Sequence, residues 1–183
     1  MKIRLAADLQ MDSIVDGEGI RTVIWTQGCP HHCKGCHNPE TWAYDQGIEV
    51  DVEEVKKELS QLEGQDGITL SGGDPLEQVD ACIEICKHAK KLEMNVWCYT
   101  GYLYEEVQND PEKKKILPYI DVLVDGPFIL EERSLDLYFK GSRNQRVIDV
   151  PESLKEQKVC LVSKYAKEKD VFSRYQKEKG IFV

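Results

Sequence analysis

Three of the seven cysteines lie within eight residues, at Cys29, Cys33 and Cys36, in the spacing C-x3-C-x2-C. A short loop rich in glycine and proline can bring three thiolates to one metal centre. A cubane iron–sulfur cluster has four irons, and electron-transfer ferredoxins commonly cap all of them with cysteine. Three cysteines leave one iron open, and an open metal position lets a site admit a substrate. The stretch therefore favours a [4Fe-4S] cluster with one free position.

Zinc, a closed cluster and disulfides are alternatives for the same three cysteines. A zinc site could take His31, His32 or His37 as its fourth ligand, because zinc favours tetrahedral sulfur and nitrogen ligands. Structural zinc sites usually draw paired ligands from two segments, however, and the chain has no second C-x2-C or H-x3-H pair. A closed cluster could use the distant Cys98. Disulfides fit poorly, because the number of cysteines is odd.

The cysteine stretch belongs to an ordered series of short motifs that covers roughly residues 12–150. The others are Asp16–Thr22, His37–Trp42, Ser71–Leu76, Thr100–Tyr102, Val124–Phe128 and Gly141–Arg146. On these residues the chain resembles the radical S-adenosylmethionine (SAM) enzymes. Within that superfamily it resembles the glycyl-radical-enzyme activases, in particular those that act on anaerobic ribonucleoside-triphosphate reductase. It differs from the pattern in having Glu18 where proline is usual and Gly35 where an aromatic residue is common.

The resemblance implies a cofactor set and a reaction. Cys29, Cys33 and Cys36 would ligate a [4Fe-4S] cluster, and reductive cleavage of SAM would give methionine and a 5′-deoxyadenosyl radical. That radical would remove a hydrogen atom from a glycine of the reductase, with an external electron donor such as reduced flavodoxin. Two alternatives remain, namely an activase of another glycyl radical enzyme and a non-catalytic, zinc-stabilised interaction module.

The resemblance also assigns residues to SAM and to the partner. The cofactor-binding candidates are Gly35, Cys36, His37, Gly72, Gly73, Asp74, Thr100 and Asp125. Asp16 and Arg21 are the candidates for guiding the partner's glycine loop, although a salt bridge that only orders the loop would equally explain Arg21. Trp42 lies just past the cysteines, where its indole could shield a cluster from water or simply pack.

Composition limits the possible classes of protein. A chain of 183 residues with 31% charged and 41% hydrophobic residues is typical of one globular domain. The formal net charge of −9 argues against a surface that follows phosphates, so we expect no nucleic-acid partner. We expect no signal peptide behind Met1–Arg4 and no membrane span, because no apolar run reaches about 18 residues. The expected location is the cytoplasm.

Short apolar strands alternate with helical segments along the chain, and each chemical motif directly follows a strand. This order predicts an α/β fold with a parallel sheet, whose ligand sites lie at the carboxyl ends of the strands. The chain is too short for eight βα units, and the family's fold agrees with a partial, open barrel. The predicted strands lie within Ile3–Asp12 and at Thr22–Thr26, Ile68–Leu70, Asn95–Tyr99 and Asp121–Val124. The predicted helices run from Asp51 to Gln61, from Pro75 to Leu92 and from Tyr104 to Leu117 with a break near Asn109–Pro111.

The family motifs stop near Val150. We therefore divide the chain into an activase domain at residues 1–150 and a C-terminal extension at residues 151–183, packed on the same domain. The extension is predicted to contain an edge strand at Lys158–Val162 and a charged helix from Lys164 to Gly180.

Overall fold

The structure is a computed structural model that describes residues 1–166. Within these residues, eight strands form one open sheet on which the helices pack. The strands are β1 (Lys2–Leu5), β2 (Gln10–Ser13), β3 (Arg21–Thr26), β4 (Ile48–Asp51), β5 (Gly67–Gly72), β6 (Asn95–Tyr99), β7 (Val122–Asp125) and β8 (Arg146–Asp149). The α-helices are α1 (Val52–Leu59), α2 (Val79–Lys91), α3 (Tyr104–Asn109), α4 (Val150–Glu156) and α5 (Ser163–Ala166). Short 3-10 helices cover Pro39–Thr41, Pro75–Glu77, Lys113–Tyr119 and Leu130–Glu132.

The centre of the sheet is parallel and its flanks are antiparallel. The strand order is β4-β1-β3-β5-β6-β7-β8, with β2 paired to β3. The pairs β3–β5, β5–β6 and β6–β7 are parallel, which confirms the predicted α/β class. Strands β1, β2, β4 and β8 pair antiparallel with their neighbours, which the prediction of a parallel sheet did not include. No helix within residues 1–166 is long and apolar enough to cross a membrane.

The two faces of the sheet have different environments. Successive residues of a strand point to opposite faces. One residue from each of three central strands joins the main core with α1 and α2, namely Ile24, Leu70 and Cys98. The next residue along each strand lines a cavity instead, namely Trp25, Ser71 and Tyr99. The helices therefore cover one face of the central strands, and the opposite face is left for a site.

The sequence motifs meet at one edge of the sheet. Parallel strands have their carboxyl ends at the same edge, where α/β proteins bind ligands. Strand β3 ends at Thr26, whose Cα partner is Gly72 at the end of β5. The cysteines, the Gly-Gly turn, Thr100 and Asp125 therefore all follow or end strands at this edge.

The segment after β5 begins as predicted but does not continue as one helix. Asp74 is an N-cap residue whose carboxylate accepts a hydrogen bond from the N–H of Leu76, and Pro75 follows it. The first turn is the 3-10 helix Pro75–Glu77, and Gln78 separates it from α2, which begins at Val79. The Gln78 side chain is engaged elsewhere, because it bonds both the N–H and the carbonyl of Arg4. These hydrogen bonds to β1 hold Gln78 in place between the 3-10 helix and α2.

The chain beyond Val150 differs in detail from its prediction. Helix α4 spans the boundary that we drew between residues 150 and 151. The predicted edge strand at Lys158–Val162 is reduced to one antiparallel bridge, between Ile148 and Leu161. The predicted charged helix begins at Ser163, and its part beyond residue 166 lies outside the described residues.

Candidate active site

The cysteine loop, residues 28–38, is closed by hydrogen bonds at its base. Gly28 has a φ of +100°, a conformation that favours glycine, and it turns the chain out of β3. Its N–H donates to the carbonyl of Thr41 at 2.8 Å, and the N–H of Cys29 donates to the carbonyl of Trp42 at 3.1 Å. These two bonds join the start of the loop to the segment that follows it, so the cysteines are held on a fixed base.

The three cysteines line one cavity, which we call the cysteine cavity. All three thiols are free. Turns after β5, β6 and β7 complete its wall through Gly72, Gly73, Thr100, Gly101 and Gly126. No three His, Cys, Asp or Glu side chains of the described residues form a group suited to a single metal ion. A cubane cluster does not need such a group, because each cysteine caps its own iron, and the three free thiols around one cavity fit it.

Backbone N–H groups surround the cysteine sulfurs. The N–H of Asn38 donates to the Sγ of Cys36 at 3.4 Å. Burial raises the pKa of Cys29 to about 11, although a hydrogen bond from the backbone of His31 opposes this rise. Burial also raises the pKa of Cys33, opposed by a hydrogen bond from the backbone of Phe128. Burial therefore disfavours the thiolates in this cavity, and a bound metal would stabilise them, since metal coordination deprotonates a thiol.

Asp74 joins the cysteine loop to two strands. Its carboxylate is fully buried and accepts hydrogen bonds from the Thr100 hydroxyl at 2.9 Å and from the Gly101 N–H at 3.0 Å. The Nε2 atom of His31, within the cysteine loop, lies 2.8 Å from the same carboxylate. Together with the N-cap bond to Leu76, these contacts occupy both carboxylate oxygens. Asp74 therefore lies under the cysteine cavity and positions the residues that line it.

The Gly-Gly turn allows two backbone segments to meet. A Cβ on Gly73 would lie 2.3 Å from the carbonyl oxygen of Gly28, and one on Gly72 would lie 2.5 Å from that of Thr26. The N–H of Gly73 donates to the Thr26 carbonyl, and the N–H of Asp74 donates to the Gly28 carbonyl. Both glycines are needed because β5 ends directly against the start of the cysteine loop. They also line the cysteine cavity, so the same turn packs against the cysteine loop and forms part of the cavity wall.

Asp125 is buried beneath the end of β7. Its carboxylate accepts hydrogen bonds from the N–H of Tyr104 at 2.7 Å and from Nε of Arg146 at 2.9 Å. Arg146 also pairs with Glu105, and the two carboxylates raise the pKa of its guanidinium. Asp125 therefore does not line the cysteine cavity, although its neighbour Gly126 does.

A second cavity of about 430 Å³ adjoins the cysteine cavity on the open face of the sheet. We call it the open-face cavity. The two share Cys36, Ser71, Tyr99, Phe128 and Gln145 as wall residues, which makes them neighbours.

Besides Cys36, two predicted site residues line the open-face cavity, namely Asp16 and His37. The His37 ring lies 4.9 Å from that of Phe128. Gly35 lines neither cavity, because it packs against Leu130 with a φ of +74°.

Arg21 lies inside the protein and not at either of these cavities. Its side chain is 1% exposed, and it donates to the Ile68 and Asn95 carbonyls and to the Thr69 hydroxyl. A further bond reaches the carbonyl of Glu18, in the loop that leads into β3. Burial lowers the pKa of its guanidinium to about 10. This geometry makes Arg21 a support for the loop that contains Asp16.

The remaining cysteines lie apart from the cysteine cavity. Cys82, Cys86 and Cys98 belong to the main core, and burial raises the pKa of each thiol. Sequence reasoning did not identify Phe128 and Gln145 as site residues, although both line the two cavities. Phe128 belongs to the motif Val124–Phe128 and Gln145 to the motif Gly141–Arg146, but neither motif by itself indicates a role for them.

Comparison with known proteins identifies the class first. The family described as a 4Fe-4S single cluster domain matches residues 15–148. The chain is therefore an iron–sulfur protein with one such domain, and the match spans the cysteine loop and both cavities. A solved structure of QueE from Escherichia coli shows a partial likeness, with a TM-score of 0.47 and 15% identity over 55% of this chain and 53% of that chain.

Curated relatives then identify the particular family. The anaerobic ribonucleoside-triphosphate reductase-activating protein of Haemophilus influenzae is 36% identical over 140 residues, which cover 72% of this chain and 89% of that protein. Proteins of the same name from Enterobacteria phage T4 and Escherichia coli are 34% and 32% identical, over 73% of this chain and 86% and 91% of theirs. The chain belongs to the family of anaerobic ribonucleoside-triphosphate reductase-activating proteins.

Proposed function

We propose that this chain generates a glycyl radical on an anaerobic ribonucleoside-triphosphate reductase, using a [4Fe-4S] cluster and SAM. The observation that carries the proposal is the single cavity lined by Cys29, Cys33 and Cys36 together with the Gly72-Gly73 turn. Membership of the activating-protein family supports the choice of reductase over another glycyl radical enzyme. The match to a single-cluster domain favours it over a zinc-stabilised interaction module.

In this proposal Cys29, Cys33 and Cys36 hold the cluster and leave one iron for SAM. When bound, the cluster and SAM would supply the one-electron reductive cleavage that yields methionine and a 5′-deoxyadenosyl radical. The electron comes from an external donor, for which reduced flavodoxin is our proposal. A glycine α-carbon of the reductase would give up the hydrogen atom, so that the products would be 5′-deoxyadenosine and the glycyl radical.

The chain's own residues bind, orient and shield the reactants. Gly72, Gly73 and Thr100 line the cysteine cavity, which suits them to the amino acid end of SAM. His37 lines the adjoining cavity and is our choice for the nucleoside end, whereas Gly35 lines neither cavity and is not assigned to SAM. Asp74 and Asp125 are buried, and we assign them to holding the cavity wall. Asp16 lies on the wall of the open-face cavity, where the partner's glycine loop would enter, and Arg21 supports its loop.

We further propose that the sheet is a partial, open barrel of the radical SAM type. In support, α1 and α2 pack on one face of the central strands, whereas the cavities lie on the other. An open side would admit a large protein substrate to the site. We retain residues 1–150 as the activase domain and residues 151–183 as an extension of it, and Glu18 contacts both Lys164 and Tyr165 across that boundary. A cytoplasmic location is supported by seven free cysteines.

The test combines anaerobically reconstituted protein with SAM, a reductant and the purified reductase. We expect a brown protein, formation of 5′-deoxyadenosine and methionine, and a glycyl radical in the electron paramagnetic resonance (EPR) spectrum. A reductase variant with its radical-bearing glycine replaced by alanine is the control, and it should show no such signal. A colourless protein that retains zinc and forms no radical would refute the proposal.

A further inference from the structure

The indole N–H of Trp42 is buried without a hydrogen-bond acceptor among the described residues. Trp42 follows the cysteine loop and lines the cysteine cavity beside Cys29, Cys33 and Cys36. Its ring packs edge-on against the His32 ring, with 4.9 Å between the ring centroids, and this contact orients the indole. Native proteins rarely leave a buried donor unpaired, and such a group commonly marks a missing ligand or water. The N–H is thus an unpaired donor on a residue of the cavity wall.

The cysteine sulfurs are not its acceptors in this arrangement. The indole N–H has no hydrogen-bond partner among the described residues, and this includes the three sulfurs. The backbone of Trp42 is also committed, since its carbonyl accepts from the N–H of Cys29. The backbone of Trp42, from which the indole extends, is therefore fixed at the base of the cysteine loop. What remains is an acceptor that the protein does not itself provide.

We propose that the Trp42 indole N–H donates a hydrogen bond to an inorganic sulfide of the [4Fe-4S] cluster and thereby raises the cluster's reduction potential. This inference rests on the proposed function, because it requires the cluster to be present. Bridging sulfides accept hydrogen bonds, and such bonds are among the factors that set the potential of an iron–sulfur cluster. Donation to sulfide stabilises the reduced, more negative cluster, so Trp42 makes the cluster easier to reduce by the external donor. Trp42 is a residue that tunes the cluster and holds no iron.

The experiment compares Trp42→Phe with the wild-type protein after anaerobic reconstitution, without SAM or reductase. Phenylalanine keeps an aromatic ring against His32 but removes the N–H. We expect full iron and sulfide content and a lower midpoint potential in an EPR-monitored redox titration. Trp25→Phe is the matched control, because the Nε1 of Trp25 already donates to the Gln10 side chain at 3.0 Å and Trp25 does not line the cysteine cavity. Its potential should equal that of the wild type.

A second measurement does not depend on how well the variant binds its cluster. Wild-type protein labelled with ¹⁵N in the tryptophan indoles is reduced and examined by pulsed EPR. We expect a ¹⁵N hyperfine coupling to the cluster, together with a proton coupling that is lost after exchange into D₂O. The ¹⁵N coupling should persist in Trp25→Phe.

The outcomes separate this inference from the proposed function. A loaded wild-type cluster that shows no indole coupling, or an unchanged potential in a loaded Trp42→Phe, would overturn the role of Trp42 and leave the activase proposal intact. A coupling that appears only after SAM is added would also overturn it, because the acceptor would then be SAM. Failure of the wild-type protein to form any iron–sulfur cluster would instead refute the proposed function.

Discussion

The Nε2 atom of His31 lies 2.8 Å from the buried Oδ2 atom of Asp74. This contact joins the middle of the cysteine loop to the turn after β5, and the same carboxylate accepts from Thr100 and Gly101 after β6. One side chain thus connects three neighbouring segments of the cavity wall. The Cβ of a residue at position 101 would lie 2.4 Å from the His31 ring, so this packing also requires glycine there.

Replacement of Asp74 should therefore lower the free energy of unfolding by far more than the loss of an N-cap does. Asp74→Ala leaves the Thr100 hydroxyl, the Gly101 N–H and the Leu76 N–H without their shared acceptor. We expect a loss of about 3–5 kcal/mol in the free energy of unfolding, since each buried unpaired donor costs about 1–3 kcal/mol. Asp51→Ala, which removes a partly exposed N-cap from α1, is the control and should lower the free energy of unfolding much less. Equal losses in urea denaturation would show that the buried network adds nothing.

The ligand assignment predicts a sharp division among the cysteines. Cys29→Ala, Cys33→Ala and Cys36→Ala should each abolish a stable cluster and SAM cleavage, because each thiolate caps one iron. Cys82→Ala and Cys98→Ala should retain the cluster, since both lie in the main core, and should lose about 1–3 kcal/mol of stability from the vacated volume. Iron content and visible absorbance after reconstitution provide the measurement. Loss of the cluster in Cys98→Ala would favour a closed, four-cysteine site.

Substitution at Gly73 should disturb the cysteine loop as well as SAM binding. Gly73→Ala places a Cβ 2.3 Å from the Gly28 carbonyl oxygen, and neither backbone segment can move without breaking a hydrogen bond. We expect at least a tenfold loss of SAM affinity, together with reduced cluster loading. Gly64→Ala is the control, because its Cβ meets nothing within 4 Å and only its φ of +72° is strained. Normal cluster loading and normal SAM affinity in Gly73→Ala would contradict the close approach of the two turns.

Partner recognition should be separable from SAM cleavage at Asp16. Asp16→Asn retains an oxygen for the Ser13 hydroxyl but removes the charge from the wall of the open-face cavity. We expect near-normal uncoupled SAM cleavage and at least a tenfold loss of glycyl radical, because small misplacements of the glycine reduce the rate steeply. Product analysis and EPR on the same samples measure the two activities. A parallel loss of both would mean that the segment serves SAM itself.

Arg21 should behave as a structural residue. Arg21→Met removes the donors that satisfy the buried carbonyls of Ile68 and Asn95, so we expect the free energy of unfolding to fall by about 3 kcal/mol or more. Arg4→Met is the control, since Arg4 is partly exposed and its pairing with Glu49 is of the kind that contributes about 0–1 kcal/mol. A stable Arg21→Met protein that loses only radical transfer would instead support a direct role for Arg21 at the partner.

Local patterns were enough to predict the elements that deliver the site. The β-branched run at Thr22–Thr26, the break at Gly28 and the Asp74-Pro75 cap are each encoded within a few residues, and all three are found in the structure. The parallel order of the central strands followed from the alternation of strands and helices. The antiparallel flank was missed because β2, β4 and β8 are four-residue strands interrupted by charged residues, unlike β7, which begins with the apolar run Val122–Val124. Strands this short are stabilised by their neighbours in the sheet more than by their own composition.

By itself the sequence determined the cysteine spacing, the order of the motifs and hence the family. The tertiary structure alone decided which way each side chain faces. Sequence motifs could not distinguish Thr100, which lines the cysteine cavity, from Asp125, which lies beneath its wall and pairs with Arg146. They likewise could not show that the partner of Gly73 is the backbone of Gly28. The physical reason is that spacing within a loop is a local property, whereas burial and hydrogen-bond pairing depend on residues far away in the chain, which meet only when the sheet has formed.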